Sequence, residues 1–144
     1  MPAYAQLRQK DLELARVLLV DDELASRLTL NAVLEAGGYL VDSASSTEEA
    51  VGKLGERQYA LVLSDIQREA PEAGLEVLAH ARLMAYKPAT AILTKSQHKA
   101  PDTRYPVFIE PQDVPELLSK VAELISQRAA RIVEQQLQQS AAAL

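Results

Sequence analysis

Four short runs of valine, isoleucine, leucine and alanine constrain the fold of this chain more than any other feature. Apolar and polar residues do not alternate along these runs, as they would in a strand with one face in water. Each run therefore predicts a strand that is buried on both faces, as in a parallel sheet covered by helices. The four predicted strands are Arg16–Val20, 60–64, 89–94 and 107–109.

A weaker run, over 39–44, follows the turn signal Gly37-Gly38 and predicts a fifth strand at the edge of the sheet. Segments of helical length separate the strands. Two of them carry start signals, because Ser46 stands three residues before Glu49 and Asp113 three residues before Glu116. The predicted helices cover 24–35, 47–55, 74–85 and a last segment from 113 to beyond 127, and the apolar residues that mark the first are Leu24, Leu28 and Leu34.

Strands that alternate with helices at this spacing predict right-handed crossovers and a parallel sheet. The fold class is therefore α/β, a doubly wound, three-layer sandwich. The segment 95–106 must contain two connections and includes Pro101 and Pro106, so little room is left for a helix. We expect the fourth helix of the sandwich to be shortened or absent.

Length and composition narrow the possible functions. The chain has 144 residues, which suits one domain, and we place it at 16–127 with an N-terminal extension, 1–15, and a C-terminal helical extension or tail, 128–144. It has no cysteine and only two histidines, which excludes disulfides, thiol catalysis and cysteine-bound zinc. A net charge of -5 argues against direct nucleic-acid binding, and no apolar run is long enough for a membrane span. We expect a cytoplasmic protein whose partners are proteins, cations or small phosphorylated molecules.

Charged and hydroxyl residues follow the predicted strands at the points where they end. Because ligands of open parallel sheets bind at the carboxyl ends of the strands, these residues are the candidates for a site. Carboxylates that converge there repel one another unless a cation binds them, and oxygen ligands favour Mg²⁺. The residues are Asp21-Asp22-Glu23, Asp65, Thr94-Lys95-Ser96 and Glu110-Pro111.

Four segments together resemble the receiver domain of two-component response regulators. The segment RVLLVDDELASR is similar to the first strand and acidic pair of that family, and ALVLSDI to its third strand. GLEVLAHAR resembles the start of its third helix, and AILTKS its fourth strand with a hydroxyl residue. The resemblance covers roughly 16–127 and implies a flavodoxin-like sheet of five parallel strands in the order 2-1-3-4-5.

The resemblance also implies a role for each matching residue. Asp65 would be the phosphoacceptor, and Asp22, Asp65 and the backbone carbonyl of Gln67 would bind Mg²⁺ directly, with Asp21 acting partly through water. Thr94 would supply the switch hydroxyl. A histidine kinase or phosphotransfer protein would donate the phosphoryl group, and a downstream protein partner would respond to the phosphorylated state.

One position departs from the family pattern. The family has a lysine before a proline at the end of the fifth strand, whereas this chain has Glu110 before Pro111. An anion there opposes a phosphorylated product, and Lys95 is the candidate substitute cation. Two hypotheses follow. The chain either transfers a phosphoryl group to its own Asp65, its sole catalytic step, or it is a pseudo-receiver that acts as a protein adaptor without phosphorylation.

The last predicted helix has a spacing that suits a helix pair. Five apolar residues and one glutamine of this helix follow alternating steps of four and three, as in a short coiled coil. This pattern predicts a homodimer that forms through the C-terminal helix. The residues are Leu118, Ala122, Ile125, Ala129, Ile132 and Gln136.

Overall fold

A computed structural model describes residues 15–65, 71–93, 108–109 and 113–142 of the chain, and these residues form five strands and four helices. The strands are β1 (Arg16–Val20), β2 (Leu40–Ala44), β3 (Leu61–Asp65), β4 (Ala89–Leu93) and β5 (Phe108–Ile109). The helices are α1 (Leu24–Ala36), α2 (Thr47–Glu56), α3 (Pro71–Leu83) and α4 (Val114–Ala142).

The strands form one parallel sheet in the order β2-β1-β3-β4-β5, where β5 contributes two residues. At the carboxyl ends of the first three strands, Val20 of β1 lies beside both Ala44 of β2 and Ser64 of β3. The prediction of a parallel α/β fold is confirmed. The prediction of a short or absent fourth helix concerns residues that lie outside the described ranges.

Side chains from alternate positions of each strand enter two separate cores. Val17 and Leu19 of β1 belong to the core that also contains Leu34 of α1 and Leu117 of α4. Leu18 of β1 faces the opposite way, into the core formed with α2 and α3. The runs lack alternation because both faces of these strands are covered, which is the reason inferred from the sequence.

Local hydrogen bonds explain where two of the helices begin. The Ser46 hydroxyl accepts from the Glu49 amide at 3.1 Å, and a carboxylate oxygen of Asp113 accepts from the Glu116 amide at 3.1 Å. Both bonds satisfy amides that have no partner within the helix. Both predicted helix starts are therefore confirmed.

The apolar face of α1 is partly different from the prediction. Leu34 is buried as expected, but Leu24 and Leu28 are 60% and 59% exposed, and Leu30 takes the second buried position. Leu30 and Leu34 are four residues apart and lie on one face of the helix, whereas Leu24 and Leu28 lie on another. Apolar identity alone could not separate these two faces.

The last helix, α4, is 29 residues long and crosses the expected boundary at 127 without a break. Leu118 and Ile125 pack against the sheet core, so only the later part of the predicted pairing stripe remains outside it. Arg128 attaches the helix to the turn before β4, since its guanidinium donates to the carbonyl oxygens of Lys87 at 3.0 Å and Tyr86 at 2.7 Å. Among the described helices, none is long and apolar enough to cross a membrane.

Candidate functional site

Asp21 and Asp65 occupy matching positions at the carboxyl ends of β1 and β3. Val20 is in register with Ser64, so the next residues of the two chains are Asp21 and Asp65. Asp21 continues the strand geometry, because its amide donates to the carbonyl oxygen of Ala44 at 3.0 Å. Both side chains are buried, with exposures of 1% and 7%. Neighbouring strands lie about 4.8 Å apart, so the structure brings together two of the predicted carboxylates.

The two oxygens of the Asp21 carboxylate have different surroundings. Oδ1 accepts a hydrogen bond from the Glu23 amide at 2.9 Å. Oδ2 is buried and accepts no hydrogen bond from the part of the chain that the structure describes. A buried carboxylate oxygen without a donor is costly, and a cation satisfies it. The observation fits the Mg²⁺ site expected from the sequence.

Of the other predicted site residues, the described ranges include only Asp22. Asp22 is exposed and follows directly on Asp21. Gln67, Thr94, Lys95 and Glu110 lie outside the described residues. Within the described ranges, no three His, Asp or Glu side chains come together to hold a metal ion. A complete Mg²⁺ site therefore requires further oxygen donors, and the predicted carbonyl of Gln67 is one.

Arg27 is a site residue that the sequence analysis missed. Its guanidinium donates to the backbone carbonyl of Asp21 at 2.8 Å, across the first turn of α1. The bond holds the loop that carries Asp21 and Asp22 against the first turn of α1. A spacing of six residues between an acidic pair and an arginine carries no specific signal without the helix geometry.

Gly74 is a second residue that the sequence analysis did not assign to the site. A Cβ atom at this position of α3 would lie 2.9 Å from the backbone oxygen of Asp65 and 3.0 Å from the Ser64 hydroxyl. The absence of a side chain lets α3 cross directly over the end of β3. The glycine therefore determines how closely the helix approaches the backbone of Asp65.

We expect Gly74→Ala to lower the free energy of unfolding by about 2 kcal/mol, because the new methyl group meets a backbone atom that cannot move aside. Gly52→Ala is the matched control, since a Cβ on Gly52 of α2 meets nothing within 4 Å. That change should raise stability by about 0.5–1 kcal/mol, as expected for a glycine inside a helix. Urea unfolding of both variants tests the contact, and equal effects of the two changes would contradict it.

Comparison with known proteins identifies the family. The family model for the response regulator receiver domain matches residues 17–110. The chain belongs to the response regulator receiver domain family. The alginate biosynthesis transcriptional regulatory protein AlgB of Pseudomonas aeruginosa is 39% identical over 88 residues, which are 61% of this chain and 19% of AlgB. This chain thus spans about a fifth of the length of that relative.

Two solved structures support the same fold. The response regulator TrrA of Thermotoga maritima, in complex with Mg²⁺-BeF, is 32% identical with a TM-score of 0.66 and covers 76% of this chain and 97% of its own. TrrA in complex with the histidine kinase ThkA gives a TM-score of 0.65 at the same identity and coverage. The receiver fold inferred from the sequence is therefore confirmed.

Proposed function

We propose that this receiver domain accepts a phosphoryl group on Asp65, with Mg²⁺, in cytoplasmic two-component signalling. The observation that carries the proposal is the pair of buried carboxylates, Asp21 and Asp65, at neighbouring strand ends. The Oδ2 atom of Asp21 has no donor among the described residues, which supports a cation at this place. Such a pair is costly to bury for structural reasons alone, so a ligand that uses it accounts for it best.

In the proposed reaction, a carboxylate oxygen of Asp65 attacks phosphorus and the bond from phosphorus to the donor breaks. The electron pair of that bond leaves with the donor, which is an imidazole of a kinase or the acetate of acetyl phosphate. Asp22, Asp65 and the Gln67 carbonyl would hold Mg²⁺ directly, and Asp21 would contact it through water. When bound, the ion neutralises charge on the phosphoryl oxygens.

Three further residues have proposed roles that depend on their places in the sequence. Thr94 follows Leu93, which pairs with Asp65 in the sheet, so its hydroxyl is the proposed sensor of the phosphoryl group. Lys95 is the proposed substitute cation. Glu110 follows directly on β5, in place of the family lysine.

The position of Glu110 supports a second candidate function. A carboxylate in place of the lysine removes a charge partner of the phosphoryl group and adds repulsion. If the phosphorylated state cannot form for this reason, the chain acts as a pseudo-receiver whose surface binds a downstream protein without phosphorylation. The buried carboxylates Asp21 and Asp65 are common to both candidate functions, so only a phosphorylation experiment separates the two.

A histidine kinase or phosphotransfer protein is the proposed donor. A protein that delivers a phosphoryl group to Asp65 must cover the surface next to Asp21. Leu24 and Leu28 of α1 lie there, and more than half of each side chain is exposed. Apolar side chains next to a polar pocket suit a protein contact. ThkA and TrrA form such a kinase and regulator complex.

The proposal is tested by the intact mass of the chain after incubation with acetyl phosphate and Mg²⁺. We expect an increase of about 80 Da, the mass of one phosphoryl group. If the parent chain gains no mass but Glu110→Lys does, the acceptor site around Asp65 is intact and the pseudo-receiver is favoured. If neither gains mass, with a kinase donor as well, phosphoryl transfer to Asp65 is wrong.

We also propose a homodimer through the part of α4 that follows Gln127. Of the later residues of the predicted stripe, Ala129 and Gln136 are exposed and Ile132 is half-buried. Val133 and Leu137, beside that stripe, are 54% and 65% exposed and add apolar surface. We expect the full chain to sediment as a dimer and a chain that ends at Gln127 to be a monomer. Two monomers would contradict the proposal, and Val133→Lys with Leu137→Lys is the full-length control.

A further inference from the structure

A cleft of about 630 Å³ lies between α4 and the turn that connects α3 to β4. It is at the end of the sheet opposite Asp21 and Asp65, because the first residues of β4, Ala89 and Thr90, form part of its wall. Its volume is in the range of small-molecule sites in proteins. Neither of the proposed functions uses it.

The charged residues of the cleft are all positive. Arg82 and Lys87 come from the α3 side, and Arg131 from α4, and no aspartate or glutamate lines the cleft. Within the described part of the chain, none of the three forms an ion pair. Cations that converge without counterions, on a chain with a net charge of -5, mark a local site for an anion.

Arg128 adds to this concentration of positive charge. It lies between the cleft residues Gln127 and Arg131 in the sequence and donates to the carbonyl oxygens of Tyr86 and Lys87. Burial lowers the pKa of Arg128, and the positive charge of Arg131 lowers it further. The protein thus keeps arginines close enough to repel one another.

Lys87 holds an unfavourable backbone conformation at the edge of the cleft. Its φ angle is 44°, the single positive value at a residue other than glycine in the described ranges. Glycine or asparagine adopts this conformation at lower cost, and the following residue, Pro88, restricts the backbone further. Strain of this kind is found where a side chain is needed for function. Here the ammonium group is at the cleft and also donates to the Arg82 carbonyl at 3.0 Å.

Apolar surface is available beside the cations. Pro88 and Ala89 are buried, and Leu124 is partly buried in the core, so their surfaces give the cleft an apolar wall. Gln127 and Gln135 add amide groups that can donate and accept hydrogen bonds. A ligand that matches all of these has several negative charges and an apolar body.

We infer that this cleft binds a phosphorylated small molecule of the nucleotide type, with phosphates between Arg82, Lys87 and Arg131 and the rest of the molecule on Pro88 and Leu124. The inference does not rest on the proposed phosphoryl transfer. It gives the extension of α4 a role, since Arg131 and Gln135 of the extension lie on the same helix face as Gln127 and line the cleft. Val133 and Leu137 lie on the other side, so a dimer leaves the cleft open.

The test is calorimetric titration of the full chain with ATP, pyrophosphate and AMP, in EDTA and low salt. We expect one saturable site that binds ATP more tightly than either other probe. ATP combines several phosphate charges with a flat aromatic base, whereas pyrophosphate lacks the base and AMP has a single phosphate. Arg131→Ala should weaken ATP binding about tenfold, as expected for the loss of one charge-assisted hydrogen bond. Asp65→Ala should bind ATP as the parent does, which separates this cleft from the acidic site.

Lys87→Gly distinguishes binding from folding. The change relieves the backbone strain and removes the ammonium, so Tm should be equal to or above that of the parent while ATP binding weakens. Lys53→Ala, which removes a cation from α2, controls for general charge and should change affinity less than about twofold. An equal loss in Lys53→Ala, no saturable binding, or binding of a poly-glutamate peptide in preference to ATP would each overturn the inference.

Discussion

Asp65→Ala should lose the phosphoryl adduct completely under conditions that phosphorylate the parent chain. Asp65 is buried at the end of β3 next to Asp21, and it has the carboxylate oxygen that the proposed reaction needs. Alanine has no nucleophile, and an exposed carboxylate cannot replace a nucleophile held in the pocket. Intact mass after incubation with acetyl phosphate and Mg²⁺ should therefore show the unmodified mass alone.

The control for this experiment is Glu56→Ala, which removes an exposed carboxylate at the end of α2 and leaves the pocket unchanged. It should be modified to the same extent as the parent. An adduct that persists in Asp65→Ala would mean that another side chain is the acceptor. The assignment of Asp65 would then be wrong even though the family is established.

Asp21→Asn should change stability in opposite directions with and without Mg²⁺. In EDTA we expect the free energy of unfolding to rise by about 1 kcal/mol, because the amide removes a buried charge beside Asp65. The side-chain oxygen that accepts from the Glu23 amide is retained. In Mg²⁺ we expect the variant to be less stable than the parent chain. Its affinity for the ion should be lowered about 10–100-fold, so the ion stabilises it less.

Asp22→Asn is the matched control, since Asp22 is exposed and its charge is already hydrated. It should weaken Mg²⁺ binding without any gain of stability in EDTA. Urea unfolding of the three chains, with and without the ion, measures both effects. A loss of stability for Asp21→Asn in EDTA would show that the Asp21 charge is compensated within the protein, and the argument for a cation would fail.

The strands could be predicted from the sequence because their signal is local. Burial on both faces leaves segments such as 60–63 wholly apolar. The helix caps formed by Ser46 and Asp113 depend on residues three positions away. The proximity of Asp21 and Asp65 could also be predicted, because each follows a predicted strand and the carboxyl ends of parallel strands share one edge of the sheet.

Features that depend on contacts between distant segments could not be predicted. The close approach of Gly74 to Asp65 requires the packing angle of α3 on the sheet. The contacts of Arg128 with Tyr86 and Lys87 join segments more than 40 residues apart. Leu30 is buried and Leu28 is exposed because of how α1 is rotated against the sheet. No local pattern records these geometries.

Because α4 is one continuous helix, a movement at its first turns is transmitted to its last turns. Its first part packs, through Leu117 and Val121, on the sheet face toward which the strand alternation directs Asp21 and Asp65. The 15 residues after Gln127 extend about 22 Å further at the rise of an α-helix. A rotation of about 5° at the base would move the tip by about 2 Å, so a small change in packing near the acidic residues is enlarged where the helix leaves the domain.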